Sequence, residues 1–250
     1  MIVKNKQELN KIKSVCNINN ECLFYLKELT VPGISTLEID IKAEEFYKKN
    51  KAIPAFKDYH GYPATINFMR NSGVVHCIPN AKELVESGDV ISIDTGCIFD
   101  DYYADQALSF GVGEISTENR KLINIAKLSV EAGTNQCTTQ KTLGDIGYAQ
   151  QSVIEMAGLS VVKKFVGHEI GRNLHENLKI PAYGNASSGP KLQENMLVCI
   201  ENQVCVGSNE VYTDTKDGWS TYTKDGKNSA TFEHMVIIGR KKPIILTKFE

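Results

Sequence analysis

The chain has 250 residues, 42% hydrophobic and 23% charged, and its 28 Lys plus Arg against 30 Asp plus Glu leave a net charge of −2. That composition excludes a disordered or fibrous chain and fits one large domain or two tightly packed halves. It also lacks the basic excess that nucleic acid or an anionic membrane surface would demand. Leu9, Ile12, Cys16, Asn19, Leu23 and Leu26 recur at three- and four-residue steps, which predicts an amphipathic helix with Asn19 as a polar interruption. Pro32-Gly33 turns the chain, and Ser35 with Glu38 has the capping-box spacing that opens a second helix to about Lys49. Strand-like runs follow around 64–69, 89–94 and 102–110. Helical periodicity returns from Ser116 and again near Thr142, with Asp145 three residues on. From Leu159 the pattern is of strands and turns, with Lys216-Asp217-Gly218-Trp219 and Lys224-Asp225-Gly226 as turn signals. Arg240-Lys241-Lys242 before Pro243 reads as a solvated turn.

Helix, helix, strands therefore occurs twice. Thr36-Leu37-Glu38-Ile39 and Thr142-Leu143-Gly144-Asp145-Ile146 echo one another at comparable places. Together they predict an α+β domain over 1–250 made of two related halves, roughly 1–115 and 116–250. Seven scattered cysteines without a C-x-x-C pair point to reduced thiols. Charges at Lys4 and Lys6 stand where a signal peptide needs an apolar core, and no run approaches the ~18 apolar residues of a membrane span. The expectation is a soluble, cytoplasmic chain.

Asp94 ends an alternating strand, Val90 to Asp94, and Asp105 lies in the run that can pair with it. A turn centred between Phe99 and Asp100 sets the two carboxylates directly opposite, with Cβ atoms ~5 Å apart. Facing carboxylates repel, and a divalent cation between them removes the penalty. A shifted turn with one Asp solvated is the alternative. Glu201 closes the apolar strand from Met196, and Glu233 lies inside another, Ala230 to Ile238; a buried Glu needs a partner or a metal. Gly167-His168 and His175 fall between them, with glycines that permit close approach. His168-Glu169 is not a zinc-protease helix, because residue 172 is Arg.

Two Asp, one His and two Glu in this order, with Pro32 to Thr36, Tyr59-His60-Gly61-Tyr62-Pro63, Val75-His76-Cys77-Ile78-Pro79, His175-Glu176, Trp219 and Phe232-Glu233-His234, resemble the type I methionine aminopeptidases over nearly the whole chain. The resemblance implies the pita-bread fold, two pseudo-symmetric halves around a central antiparallel sheet. It implies Asp94, Asp105, His168, Glu201 and Glu233 as ligands of two divalent metal ions, an oxygen-rich set that suits Co, Mn, Fe or Zn. It implies metal-activated hydroxide attack that releases the initiator methionine when the second residue is small. Glu201 would shuttle the proton, His175 would donate to the oxyanion and His76 would hold the scissile amide. Tyr59, Tyr62, His76, Leu174, His175 and Trp219 would bind substrate, around a thioether that slides between aromatic faces. The implied partners are the N-termini of nascent polypeptides, with ribosome association compatible, no nucleic acid, no membrane and a monomeric state.

Five positions depart from the family pattern: Glu169 follows the metal-binding His, Asn202 the metal-binding Glu and Gln106 the second Asp, Gly96 replaces a hydroxyl and Asn67 occupies a pocket position often held by Cys. Glu169 is expected to add charge beside the metals, tightening binding or drawing His168 away. Asn67 is expected to put an amide in the methionine pocket. A catalytically weakened pita-bread peptide-binding protein is the second reading. An Xaa-Pro peptidase-like relative ranks lowest, since those usually carry an extra N-terminal domain and only about ninety residues precede Asp94.

Overall fold

A computed structural model describes residues 1–249. Chain order is α1 (Lys6–Leu29), α2 (Thr36–Lys49), β1 (Ile53–Pro54), β2 (Ile66–Arg70), β3 (Gly73–Val75), β4 (Val90–Phe99) and β5 (Tyr102–Gly111). It continues with α3 (Thr117–Thr134), α4 (Leu143–Met156), β6 (Ser160–Val161), β7 (Gly167–Glu169), β8 (Lys179–Ile180) and β9 (Leu197–Cys205). The last strands are β10 (Val211–Thr213), β11 (Thr221–Thr223), β12 (Ser229–Ile237) and β13 (Ile244–Ile245). Every strand pairing is antiparallel, and the platform divides into three hydrogen-bonded sheets rather than one. β1, β2, β4 and β5 form one; β6, β7, β8, β9, β12 and β13 form another; β3, β10 and β11 bridge at the side.

The helices start where local chemistry dictates. Glu38 accepts from the Ser35 N–H at 2.9 Å while the Ser35 hydroxyl accepts from the Glu38 N–H at 3.3 Å, a complete capping box. Before α4, Asp145 accepts from the Thr142 N–H at 2.8 Å. The duplicated helix therefore aligns Ser35 with Thr142, one residue from the alignment that the Thr36 and Thr142 echo suggests. The polar interruption in α1 is a tie. Fully buried Asn19 donates to the Thr95 carbonyl at 2.8 Å and accepts from the Tyr47 hydroxyl at 2.6 Å, linking α1, α2 and β4. Replacing Asn19 by Leu strands that carbonyl and hydroxyl in the core. The expected cost is about 1–3 kcal/mol, read as a lower urea midpoint at unchanged slope.

The β4–β5 hairpin turns one residue later than the sequence suggests. Asp100 and Asp101 have φ of 50° and 68°, and Phe99 pairs with Tyr102. Both central residues at positive φ mark a type I′ turn, which follows the strand twist better than a type I turn and which Asp tolerates. Asp94 consequently pairs with Ala107 and Asp105 with Gly96. The two carboxylates are diagonal neighbours on one face, not direct opposites. All seven cysteines are free and buried. No helix among the described residues is long and apolar enough to cross a membrane.

Candidate active site

Asp94 and Asp105 rise from one sheet, and the other answers from the facing side. Glu201 of β9 and Glu233 of β12 are cross-strand partners in register. His168 of β7 pairs with Cys199, two residues before Glu201 on the same face. A side chain at Gly167 would put its Cβ 2.4 Å from the Cys199 carbonyl oxygen, so only glycine lets β7 carry His168 this close. Ser109 donates to the Thr231 carbonyl at 2.8 Å and holds β5 against β12. The five residues expected as ligands thus come together on the facing sides of two sheets.

Electrostatically the cluster is incomplete by itself. The His168 Nε2 lies 3.5 Å from Asp105 and 3.9 Å from Glu233. Its Nδ1 faces the Glu169 carbonyl at 3.2 Å, which places the proton there and turns the Nε2 lone pair on the carboxylates. Asp94 Oδ1, Asp105 Oδ1 and Glu233 Oε1 are buried and accept no hydrogen bond among the described residues. Burial raises all four carboxyl pKa values, Asp105 and Glu201 to about 7, and mutual repulsion adds to the rise for Asp94, Glu201 and Glu233. Burial likewise lowers that of His168. Converging lone pairs with no cation among them are what a divalent ion requires. One ligand atom each from Asp105, His168, Cys199 and Glu233 lies within 4.8 Å of the others. The residues fit a metal centre. Cys199 escaped the sequence reading because it is one of several cysteines in apolar strands. Burial and Glu233 push its thiol pKa well up, so it packs as a small side chain beneath the cluster.

Above the carboxylates opens a cavity of about 320 Å³ whose walls include Tyr59, Tyr62, His76, Leu174, His175 and Trp219, all six residues expected to meet substrate. Phe56, Asn67, Met69 and Phe165 join them, and only Asn67 of these four was singled out by sequence. Trp219 stands edge-on to Tyr62 at 5.3 Å and to His76 at 6.2 Å. Tyr62 is a buried wall whose hydroxyl lies 2.9 Å from the Ile66 carbonyl and 3.1 Å from that of Cys77. His76 sits at φ 56°, a strained backbone held by its surroundings. Enclosure lowers its pKa to about 4, and Lys164 reinforces this. His175 lies at the mouth, 4.4 Å from the His168 ring; desolvation first, and then His168, His76 and His60, lower its pKa to about 4. Both are neutral imidazoles at neutral pH.

The departures from the family pattern mostly point elsewhere. Glu169 does not face the metal site: strand alternation turns it outward, where it receives the Met1 amino group at 2.9 Å. Gln106 likewise turns from Asp105 to donate to the Lys248 carbonyl. Asn202 turns from Glu201 to α3, donating to the Ala126 carbonyl at 2.8 Å. Phe56 covers Gly96, where a Cβ would lie 2.6 Å from the ring. Asn67 does face the site. It pairs with Asp94 across β2–β4, and its amide donates to Asp94 Oδ2 at 2.6 Å, so its N–H is spent on a carboxylate.

Residues 10–240 match metallopeptidase family M24. A methionine aminopeptidase of Clostridium perfringens is 42% identical, over 99% of this chain and 98% of its own. One from Clostridium acetobutylicum is 39% identical over the full length of both. The crystal structure of methionine aminopeptidase from Thermotoga maritima superposes with a TM-score of 0.95 at 32% identity, covering 99% of this chain and 100% of that one. With a pita-bread architecture and a carboxylate–imidazole centre of this kind, the chain belongs to metallopeptidase family M24 and, within it, to the methionine aminopeptidases.

Proposed function

We propose that the protein releases methionine from the N-terminus of polypeptides whose second residue is small. The observation that carries this reading is the cluster of four carboxyls, buried at Asp105 and Glu233 and half-buried at Asp94 and Glu201, with the buried imidazole of His168, lining a cavity with aromatic walls. Asp94, Asp105, His168, Glu201 and Glu233 would hold two divalent ions, of which Mn, Fe, Co or Zn suits the donor set. Such ions supply a water activated as hydroxide at neutral pH and a positive charge that stabilises the tetrahedral transition state.

The remaining work falls to side chains. Glu201, with one oxygen held by the Gln203 amide at 2.6 Å, is the carboxylate placed to take a proton and pass it to the leaving amine. His175 donates to the developing oxyanion, and His76, fixed between Phe165 and Trp219, orients the scissile amide. The thioether lies among Tyr59, Tyr62, Leu174 and Trp219, where contact with ring edges favours sulfur. Asn67 stands in the cavity wall with one amide N–H bound to Asp94. The substrate class makes nascent chains in the cytoplasm the natural partners.

The metal-free protein, loaded separately with Mn, Co, Fe or Zn, is offered Met-Ala-Ser, Leu-Ala-Ser and Ala-Pro peptides. The expected result is release from Met-Ala-Ser at least about tenfold above Leu-Ala-Ser, a difference of ~1.4 kcal/mol in transition-state binding. Metal uptake without release from any peptide contradicts catalysis, and preferred cleavage of Ala-Pro contradicts the specificity.

A further inference from the structure

We infer that Tyr59 is a positioning residue for His175, its phenol donating to Nδ1 and thereby fixing the tautomer that carries the ring proton on Nε2. The inference rests on the proposed role of His175 as an oxyanion donor and adds what makes it a donor. The Tyr59 hydroxyl lies 2.9 Å from Nδ1, and the two rings meet at 49° with centroids 5.4 Å apart, a tip-to-edge contact rather than a stack.

A neutral imidazole has one N–H, and a phenol can either give or receive. The phenol is the stronger acid of the two and the imidazole the stronger base, so the proton of this bond belongs to oxygen. Burial raises the Tyr59 pKa and so keeps that proton in place. No other hydrogen bond is made by the Tyr59 hydroxyl or by His175 Nδ1 among the described residues. The reverse arrangement would leave the phenol proton unpaired and present an Nε2 lone pair to the reacting carbonyl, where it would repel the oxyanion. Both rings line the cavity, so the nitrogen not engaged by Tyr59 is the one left for substrate.

The backbone holds the phenol in place. Tyr59 stands between two residues in the left-handed region, Asp58 at φ 66° and His60 at φ 52°. Its own N–H donates to the Phe56 carbonyl at 2.9 Å, and its carbonyl accepts from the Tyr62 N–H at 3.0 Å. Strain on both sides of a side chain aimed at a proposed catalytic group is the pattern of a backbone held for function.

The test is Tyr59→Phe in the full chain, which keeps the aromatic wall and removes only the hydroxyl. With metal-loaded protein and Met-Ala-Ser, kcat should fall about tenfold, the low end for losing an orienting partner, while KM stays within about twofold. A wall role alone would leave both unchanged. In zinc-loaded protein carrying 15N-histidine, the parent should show His175 as a single Nε2–H tautomer and Tyr59→Phe a mixture. Adding Tyr59→Phe to His175→Ala should cost nothing further, because the two act as one unit. Parent-like kcat and tautomer in Tyr59→Phe, beside a crippled His175→Ala, overturn the inference alone. Full activity in His175→Ala instead overturns the donor role on which it rests, whatever the tautomer.

Discussion

Replacing Asp105 by Asn should cut methionine release by more than about 100-fold, a larger loss than removing a ligand's outer partner, and should raise the melting temperature of the metal-free protein. The two effects share a cause. Without metal, buried carboxyls crowd one site, with Asp94 Oδ1, Asp105 Oδ1 and Glu233 Oε1 accepting no hydrogen bond among the described residues. A neutral amide removes one charge from that repulsion and, with the ligand set proposed above, one ligand from the metal. For a chain of this size each ~1 kcal/mol relieved raises the midpoint by about 2–4 °C. Metal reverses the ranking: at a thousandfold excess over Kd it stabilises the parent by about 4 kcal/mol and the variant by far less. Thermal melts of both proteins, stripped and loaded, check this, and a metal-free variant that melts below the parent contradicts the account.

The contribution of Asp105 and Glu201 to the pH dependence of the stripped parent has a definite sign. Asp105 and Glu201 have folded pKa values of about 7, above the ordinary carboxylate range of ~4. Between those limits the folded state holds protons that the unfolded chain has released. The stability these two groups contribute is therefore fully present below the unfolded pKa and is lost as pH rises through about 7, while the histidines with lowered pKa values act in the opposite sense below about 6.5. Metal loading should flatten or invert that slope.

His175→Ala should lower kcat by about 10²–10³-fold with little change in KM, the signature of a donor that acts in the transition state. Bound metal should stay at the parental level, because the His168 and carboxylate atoms do not depend on the His175 ring for their backbone placement. Metal analysis alongside steady-state kinetics separates the two roles. A collapse in metal content would make His175 a support of the metal site instead.

How much of this was legible in the sequence depends on the range of each rule. Capping boxes and three-to-four spacing act over one helical turn; they placed the starts of α2, α3 and α4 within a residue or two, while the apolar spacing of Leu9 to Leu26 fell three residues short of α1 at each end. The family order of Asp94, Asp105, His168, Glu201 and Glu233 identified residues that the fold brings together. The hairpin register was misread by one residue because Asp100-Asp101 lacks the Asn-Gly signature of a type I′ turn, although both residues adopt it. Glu169 was misjudged for a related reason. β7 is only three residues long, too short to show the alternation that turns Glu169 away from the metal site. The bond from Asn67 to Asp94 needs strand pairing between distant segments, which no local pattern encodes.

Trp219 is the single tryptophan of the chain, and it stands in the wall of the cavity against Tyr62 and His76. Tryptophan emission, excited apart from the ten tyrosines, therefore reports one place in the molecule, with no background from indoles elsewhere. A thioether entering beside that ring displaces water from it, so occupancy can be followed by emission colour and quenching in unlabelled protein. The loop that sets its geometry is a tight one: Asp217 accepts from the Trp219 and Ser220 N–H groups at 2.8 and 2.9 Å, and Gly218 sits at φ 74°. The molecule carries its own optical probe where its chemistry takes place.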